Sequence, residues 1–169
     1  MITLTRATLT GAELDSLVDI CRSQPEYWRS SGDQDPDAMS RAAVEVMLRE
    51  DAEADGCETV VGRDGEGRVV GFAQLLLRHP IDGHPWIGLL LVDGRVGRQG
   101  YGRAIVAAVE DRFRADGATA VRLGVLVANA EALPFWEALG YRQIDLRPDR
   151  AKARPTRVME KLLLPACSG

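Results

Sequence analysis

The tightest constraint on this chain lies between Trp86 and Tyr101, W-I-G-L-L-L-V-D-G-R-V-G-R-Q-G-Y. The apolar run from Trp86 to Val92, bounded by turn residues, reads as a strand buried on both faces. Glycines follow at positions 94, 97, 100 and 102. Beyond Gly102, the residues Ile105, Ala108, Val109 and Phe113 recur at helical spacing. A strand, a glycine turn and a helix in that order aim several backbone N–H groups at one point, backed by the positive end of the helix dipole. An anion such as a pyrophosphate suits that point, and glycine lets it approach the backbone closely. Two common phosphate motifs do not fit. G-K-[ST] is absent, and Gly100-Tyr101-Gly102 is followed by Ile105 where the dinucleotide fingerprint requires Gly or Ala. Taken alone, the pattern is equally a plain strand-to-helix turn.

At 169 residues the chain suits one domain spanning 1–169. Its formal net charge of -4 argues against broad phosphate binding, so no nucleic-acid partner is expected. A run of roughly 18 apolar residues would suggest a membrane span, and none is present, so no membrane partner is expected. The segment from Met1 to Thr8 lacks the charged-then-apolar layout of a signal peptide. Cys21, Cys57 and Cys167 are odd in number and scattered, which suits neither a disulfide framework nor a metal site. A reducing cytoplasm is the expected compartment, with no metal bound.

Along the chain, Ile2 to Arg6 alternates as a short strand. Thr10-Gly11-Ala12-Glu13 matches a capping box before a first helix that ends ahead of Pro25. The following stretch is polar and turn-rich but carries Tyr27 and Trp28, either as packing at a helix end or as a wall for a substrate. Asp35-Pro36 suits the start of a second helix, with Met39, Ala42, Ala43, Val46 and Met47 on its buried face. Glu58–Gly62 and Arg68–Leu77 form a hairpin and continue into the Trp86 strand as an antiparallel meander. A helix from Gly102 to about Ala115 then returns to a strand over Val121–Val127, which fits a parallel neighbour of the Trp86 strand. A short helix spans about Ala132 to Leu139, and Tyr141–Leu146 with Thr156–Leu164 closes the sheet as an antiparallel pair. The fold class is therefore α/β (α+β). The outer strand pair offers an edge at which two copies could form a homodimer.

Two stretches resemble the cofactor motifs of the GNAT superfamily of N-acetyltransferases. One is V-D-G-R-V-G-R-Q-G-Y-G-R-A-I; the other is N-A-E-A-L-P-F-W-E-A-L-G-Y, with Asn129, Ala132, Phe135, Trp136, Gly140 and Tyr141 in register. The element order also matches, so the resemblance covers nearly all of residues 1–164. It implies a mixed, mostly antiparallel, splayed central sheet flanked by helices, and acetyl-coenzyme A as co-substrate. It further implies coenzyme contacts at Leu90, Leu91, Val92, Gly97, Arg98, Gln99, Gly100, Tyr101, Gly102, Arg103, Asn129, Phe135 and Trp136. Asn129 could instead cap the short helix, although Pro134 favours a helix beginning nearer Ala132.

The chain departs from the family pattern in two places. Gly97 stands where Arg or Gln is usual. Trp136 stands where the family often has a tyrosine acid, and an indole only donates a hydrogen bond, so it can wall in the thiol but not protonate it. The strand from Trp86 to Val92 also has no ionisable side chain that could act as a base. His84 lies about 26 Å from Val92 if the chain is extended, so His79 and His84 read as loop or interface residues. Glu26, Asp33 or Asp35, or a water chain, is the better base, with Glu26 placed first. The oxyanion donor is expected near Leu91 or Val92, and Tyr141 is expected in the core. The acidic residues between 26 and 37, with Tyr27 and Trp28, would favour a cationic amine, either a small molecule or a protein amine. The expected activity is acetyl transfer from acetyl-coenzyme A to a primary amine. The alternatives are a coenzyme A-binding sensor without turnover and a nucleotide-binding or purely structural domain.

Overall fold

The computed structural model describes residues 1–165, and Cys167 lies outside them. Strand β1 (Thr3–Arg6) precedes three helices, α1 (Gly11–Arg22), α2 (Pro25–Ser31) and α3 (Arg41–Glu53). Strands β2 (Cys57–Arg63), β3 (Val69–Leu76) and β4 (Trp86–Val92) follow. Helix α4 (Tyr101–Ala115) leads to β5 (Ala120–Leu126), then α5 (Leu133–Ala138), β6 (Arg142–Pro148) and β7 (Pro155–Leu162). The seven strands form one sheet in the order β1-β2-β3-β4-β5-β7-β6. All neighbours are antiparallel except β4 and β5, which run parallel.

Strand alternation sorts the apolar residues into two layers. On one face, Val61, Phe72 and Leu91 pack with Leu14, Leu17 and Val18 of α1 and Val44 and Leu48 of α3. On the other, Val60, Ala73 and Ile87 pack with Ile105, Val109 and Phe113 of α4 and Trp136 of α5. Ile87 and Leu91 thus lie on opposite faces, which strict alternation over four residues would forbid. Gly88 resolves the conflict. Gln74 pairs with Leu89 and Leu75 with Ile87, so Gly88 is an extra residue, a β-bulge.

Beyond the bulge the sheet opens. Strands β4 and β5 pair only at Trp86 with Arg122 and Ile87 with Leu123. In β4 only Ile87 and Leu91 are buried, so the run is not covered on both faces as its apolarity suggests. The open gap beside it explains why.

The region between α1 and β2 differs most from expectation. Pro25 opens the short helix α2, which places the two aromatics on a helix and not at the end of one. Helix α3 begins at Arg41, where the Ser40 side chain accepts from Ala43 N–H at 3.1 Å. Asp35 instead closes a turn by accepting from Asp37 N–H at 2.9 Å. The buried face of α3 is therefore Val44 and Leu48, while Ala42, Ala43 and Val46 are exposed. The box at α1 is displaced too. Thr10 makes no side-chain cap, and Glu13 Oε1 accepts from Thr8 N–H at 2.6 Å and Leu9 N–H at 3.3 Å.

Candidate active site

The gap between β4 and β5 is built from backbone. Asp93 N–H donates to Val70 C=O at 2.9 Å. Alternate residues of an antiparallel strand turn both polar groups to the same neighbour, so Leu91 and Leu89 face β3 as well. Leu90 and Val92 turn theirs into the gap. Gln24 Nε2 takes the Val92 carbonyl at 2.7 Å, which leaves Leu90 N–H, Leu90 C=O and Val92 N–H for a ligand. Such groups need partners, and an extended chain bearing amides could supply them as an added strand would. Leu91 differs from its neighbours: its backbone faces β3 and its side chain is buried against α1 and α3, although it borders the depression shared by Leu90, Val92 and Asn129.

At the end of β4, Asp93 fixes the turn. Its carboxylate accepts from Arg95 N–H at 3.0 Å and pairs with the Arg95 guanidinium at 2.8 Å. Those contacts, led by the Arg95 side chain, hold the Asp93 carboxyl below its usual range despite burial. One 3₁₀ turn, Gly94–Val96, follows. The chain then takes φ of +64° at Arg98 and +78° at Gly100, which caps α4. The first internal rung of α4 runs from Ala104 N–H to Gly100 C=O at 3.0 Å. The N–H groups of Tyr101, Gly102 and Arg103 are therefore without a helical partner, as three orphan donors at a helix start that an anion could accept. Gly97, Arg98, Gln99 and Arg103 are exposed around it. Gln99, Gly100 and Tyr101 also border a separate depression toward Asp64 and Arg68. A Cβ on Gly102 would stand 3.3 Å from Phe135 and 3.4 Å from Val92, so this glycine sets how closely α4 approaches β4 and α5.

The pocket in the gap has a volume of about 240 Å³ and is walled by Gly88, Leu90, Gly124, Asn129, Phe135 and Trp136, among others. Asn129 makes no side-chain cap, although its backbone opens a 3₁₀ turn before α5. Trp136 is held edge-on between Phe135 at 5.0 Å and Tyr141 at 5.2 Å. Tyr141 is buried, as expected, and its hydroxyl donates to Glu110 at 3.2 Å.

A second cavity, about 450 Å³, opens on the other side of the bulge and shares Tyr27, Gly88 and Gly124 with the first. Tyr27 thus stands where the two meet. Burial, then the nearby Asp33, pushes its hydroxyl above the ordinary tyrosine range, so it stays protonated. Trp28 is elsewhere. It is 2% exposed within the α1–α3 layer, and its indole N–H donates to Cys21 C=O at 2.8 Å. It is a core residue and not a substrate wall.

The expected bases fare unevenly. Glu26 borders the Leu90–Val92 side beside Asn129, away from the second cavity, and its carboxylate is paired with Arg29. Asp33 lines the second cavity but accepts from Lys152 Nζ and Arg154, each at 2.9 Å. Asp37 also faces Arg29, at 3.5 Å. Asp33 is thus matched by two cations, whereas Glu26 and Asp37 share Arg29 and Asp35 is in no ion pair among the described residues. His79, read as remote, lines the cavity and stacks on Trp86 at 4.6 Å. The distance from Val92 misled, since the cavity meets β4 at Gly88. His79 Nδ1 accepts from Ile81 N–H at 3.2 Å, so in the neutral ring the other nitrogen carries the proton and is no base. His84 lines a different depression with Arg78 and Thr119.

Sequence reasoning missed three parts of the site. The bulge at Gly88 had a signal, a glycine inside an apolar run. Helix α2 had one in Pro25. The segment from Arg147 to Arg154, which walls the second cavity, had none beyond its run of basic residues. Asp51, half-buried on α3, is a further carboxylate in this layer. Burial raises it, while Gln74 Nε2 at 2.8 Å opposes that; it does not line the cavity.

Among the described residues, no helix is long and apolar enough to cross a membrane. A comparison with curated proteins gives no match. An acetyltransferase from Thermus thermophilus superposes with a TM-score of 0.71 at 22% identity, covering 96% of this chain and 97% of its own. The spermidine N-acetyltransferase of Vibrio cholerae, in complex with CoA and spermine, gives 0.70 at 15% identity, with 96% and 95% covered. The ribosomal-protein-S18-alanine N-acetyltransferase of Escherichia coli gives 0.67 at 18% identity, with 100% and 98% covered. At such identities the likeness is one of fold. The family model for the acetyltransferase (GNAT) family matches residues 17–141, and the chain belongs to that family.

Proposed function

We propose that this protein transfers an acetyl group from acetyl-coenzyme A to a primary amine by direct attack within a ternary complex. One observation carries the reading: β4 and β5 pair at two positions and then part, leaving both polar groups of Leu90 and the N–H of Val92 without a strand partner beside the free N–H groups that open α4. The pantetheine arm would pair with Leu90 and Val92, and the pyrophosphate would lie on Tyr101, Gly102 and Arg103. The second cavity meets the gap at Gly88 and offers an acceptor a separate approach. The names of the fold neighbours, which concern spermidine and a ribosomal-protein alanine, support an amine acceptor.

In the reaction the amine nitrogen bonds to the thioester carbonyl carbon. The carbonyl oxygen becomes negative and is met by the N–H of Leu90 or Val92. The C–S bond then breaks, the thiolate leaves, and the nitrogen loses its proton. A thiol of this kind has a pKa of roughly 8.5, so it leaves near neutrality without an acid, and Trp136 walls it in. No carboxylate stands on β4 to take the proton from the amine, so kcat/KM climbs with pH as more amine becomes neutral.

The test is free-thiol release from acetyl-coenzyme A with a panel of primary amines, beside a coenzyme A titration. Turnover with binding supports the reading. Tight binding without turnover of any amine would instead support a coenzyme A-binding sensor, the alternative that Trp136 and the carboxylate-free strand favour. Thermal stabilisation by ATP equal to that by acetyl-coenzyme A would remove the coenzyme assignment.

A further inference from the structure

The charge around the second cavity is at odds with the chain as a whole. The protein carries a formal net charge of -4. Arg147, Arg150 and Arg154 nevertheless line this cavity, with Asp33 and Asp149 as its carboxylates. Those two carboxylates are already engaged. Asp149 Oδ2 accepts from Arg154 at 2.8 Å, and Asp33 Oδ1 accepts from Arg154 and Lys152, each at 2.9 Å. Asp82, beneath Trp86, is likewise held by Arg122 at 3.2 Å. Two cations remain. Arg147 meets only Asp145, at 3.5 Å and with both side chains more than 40% exposed, a pairing worth little. Its guanidinium lies 6.0 Å above the Trp86 ring. Arg150 is in no ion pair among the described residues. The imidazole of His79 registers both: burial lowers its pKa, Asp82 opposes this, and Arg150 and Arg147 push it further down.

An uncompensated pair of guanidiniums in a concave site is a recognition element for a planar anion, which such forks bind bidentately. Trp86, Ile81 and Leu126 supply apolar wall beside it. A volume of about 450 Å³ suits a small molecule. We propose that the acceptor is a small amine that also bears a carboxylate, an amino-acid-like molecule whose carboxylate is held by Arg150 and Arg147 while its amino group faces the gap at Gly88. The inference rests on the acetyltransferase reading above and narrows its acceptor.

The experiment uses the full chain with matched pairs: glycine, leucine, phenylalanine and glutamate, each beside its α-carboxamide, with spermidine as a polycation. Binding is measured by calorimetry on protein loaded with coenzyme A, and turnover by thiol release from acetyl-coenzyme A. For at least one pair, the carboxylate form is expected to bind and react roughly tenfold better than its amide. Arg150→Gln, and more fully Arg147→Gln/Arg150→Gln, should erase that difference while leaving the amide's values in place. Both side chains reach solvent, so the variants are expected to fold, and coenzyme A titration checks this. Equal or better use of amides or spermidine overturns the inference and leaves the acetyltransferase reading intact. Carboxylate-dependent binding without thiol release from any amine overturns the catalytic reading and, with it, the role of the bound molecule as acceptor, leaving only a carboxylate site at Arg150 and Arg147. Coenzyme A binding with no amine bound or acetylated overturns both.

Discussion

Between β4 and α4, the groups available to a ligand are backbone atoms within one stretch of chain, Leu90 to Arg103. In the second cavity they are side chains gathered from residues 27–33, 79–88 and 147–154. The first kind of site is dictated locally. Once a strand, a glycine turn and a helix follow one another, the N–H groups have nowhere else to point. The second exists only because distant segments meet. Arg154 reaches Ser31 C=O at 2.6 Å, and Lys152 reaches Asp33, across more than a hundred residues of sequence. A backbone site should thus fail when a glycine changes, and a side-chain site should fail one contact at a time.

The largest effect is expected at the glycines. Gly100→Val forces a β-branched residue to φ of +78°, and Gly102→Val pushes α4 away from Phe135 and Val92. Each should weaken coenzyme A binding by about a hundredfold or more, equal to about 2.7 kcal/mol, with a near-native circular dichroism spectrum. Affinity kept within about twofold in both would show that the cradle is elsewhere. On the other side, Arg154→Leu removes the 149–154 segment's bond to Ser31 and one of its two links to Asp33, leaving Lys152 on Asp33. The KM for the amine should rise about tenfold while coenzyme A affinity holds. A parallel fall in both would mean the two sides are not separately built.

Trp136 stands on the boundary and sharpens the contrast further. Trp136→Phe should lower kcat by about tenfold at most, about 1.4 kcal/mol, since only packing and one hydrogen-bond donor are lost. A loss of about a hundredfold with coenzyme still bound would assign Trp136 a direct part in proton transfer. The smallest effect concerns stability and pH. Burial holds the folded His79 pKa below the unfolded value of about 6.5. Its contribution is therefore full above that value and declines as pH falls from there through the folded pKa, because the unfolded chain binds the proton first. Denaturant unfolding between about pH 5 and pH 8 should show this decline, and His79→Gln should flatten it. An unchanged slope in the variant would place the titration on another group.

The same contrast governs how much could be read from the chain. The meander, the α4 crossover and the glycine turn that opens α4 were legible, since each follows from periodicity or from backbone sterics near the residues concerned. Which of Leu90, Leu91 and Val92 turn their backbone to the gap was not legible, because hydrogen-bond direction depends on register and the register shifts at the Gly88 bulge. Tyr27 and Trp28 are adjacent and similar in character, yet one borders both cavities and the other is core. Only the axis of α2 separates them. The face of α3 was misread for a related reason. Its apolar pattern supports two rotations, and Ser40, not Pro36, sets the start. Nothing near Arg147 or Arg150 in sequence says that they meet Trp86 and His79, because a β-strand pair and a loop place them there.

The parting of β4 from β5 has a consequence for cooperativity. The four strands from β1 to β4 and the three strands β5, β7 and β6 are joined through the sheet by only two paired positions. Elsewhere they are joined by side-chain packing under α4 and α5. Parting along that line would break few hydrogen bonds of the sheet, but it would also have to part the core that both halves share under α4 and α5. A ligand lying along Leu90 and Val92, with its far side against Gly124 to Leu126, would touch both halves at once. It would add hydrogen bonds along the line where those of the sheet stop, so the two halves would part less readily with the ligand bound than without it.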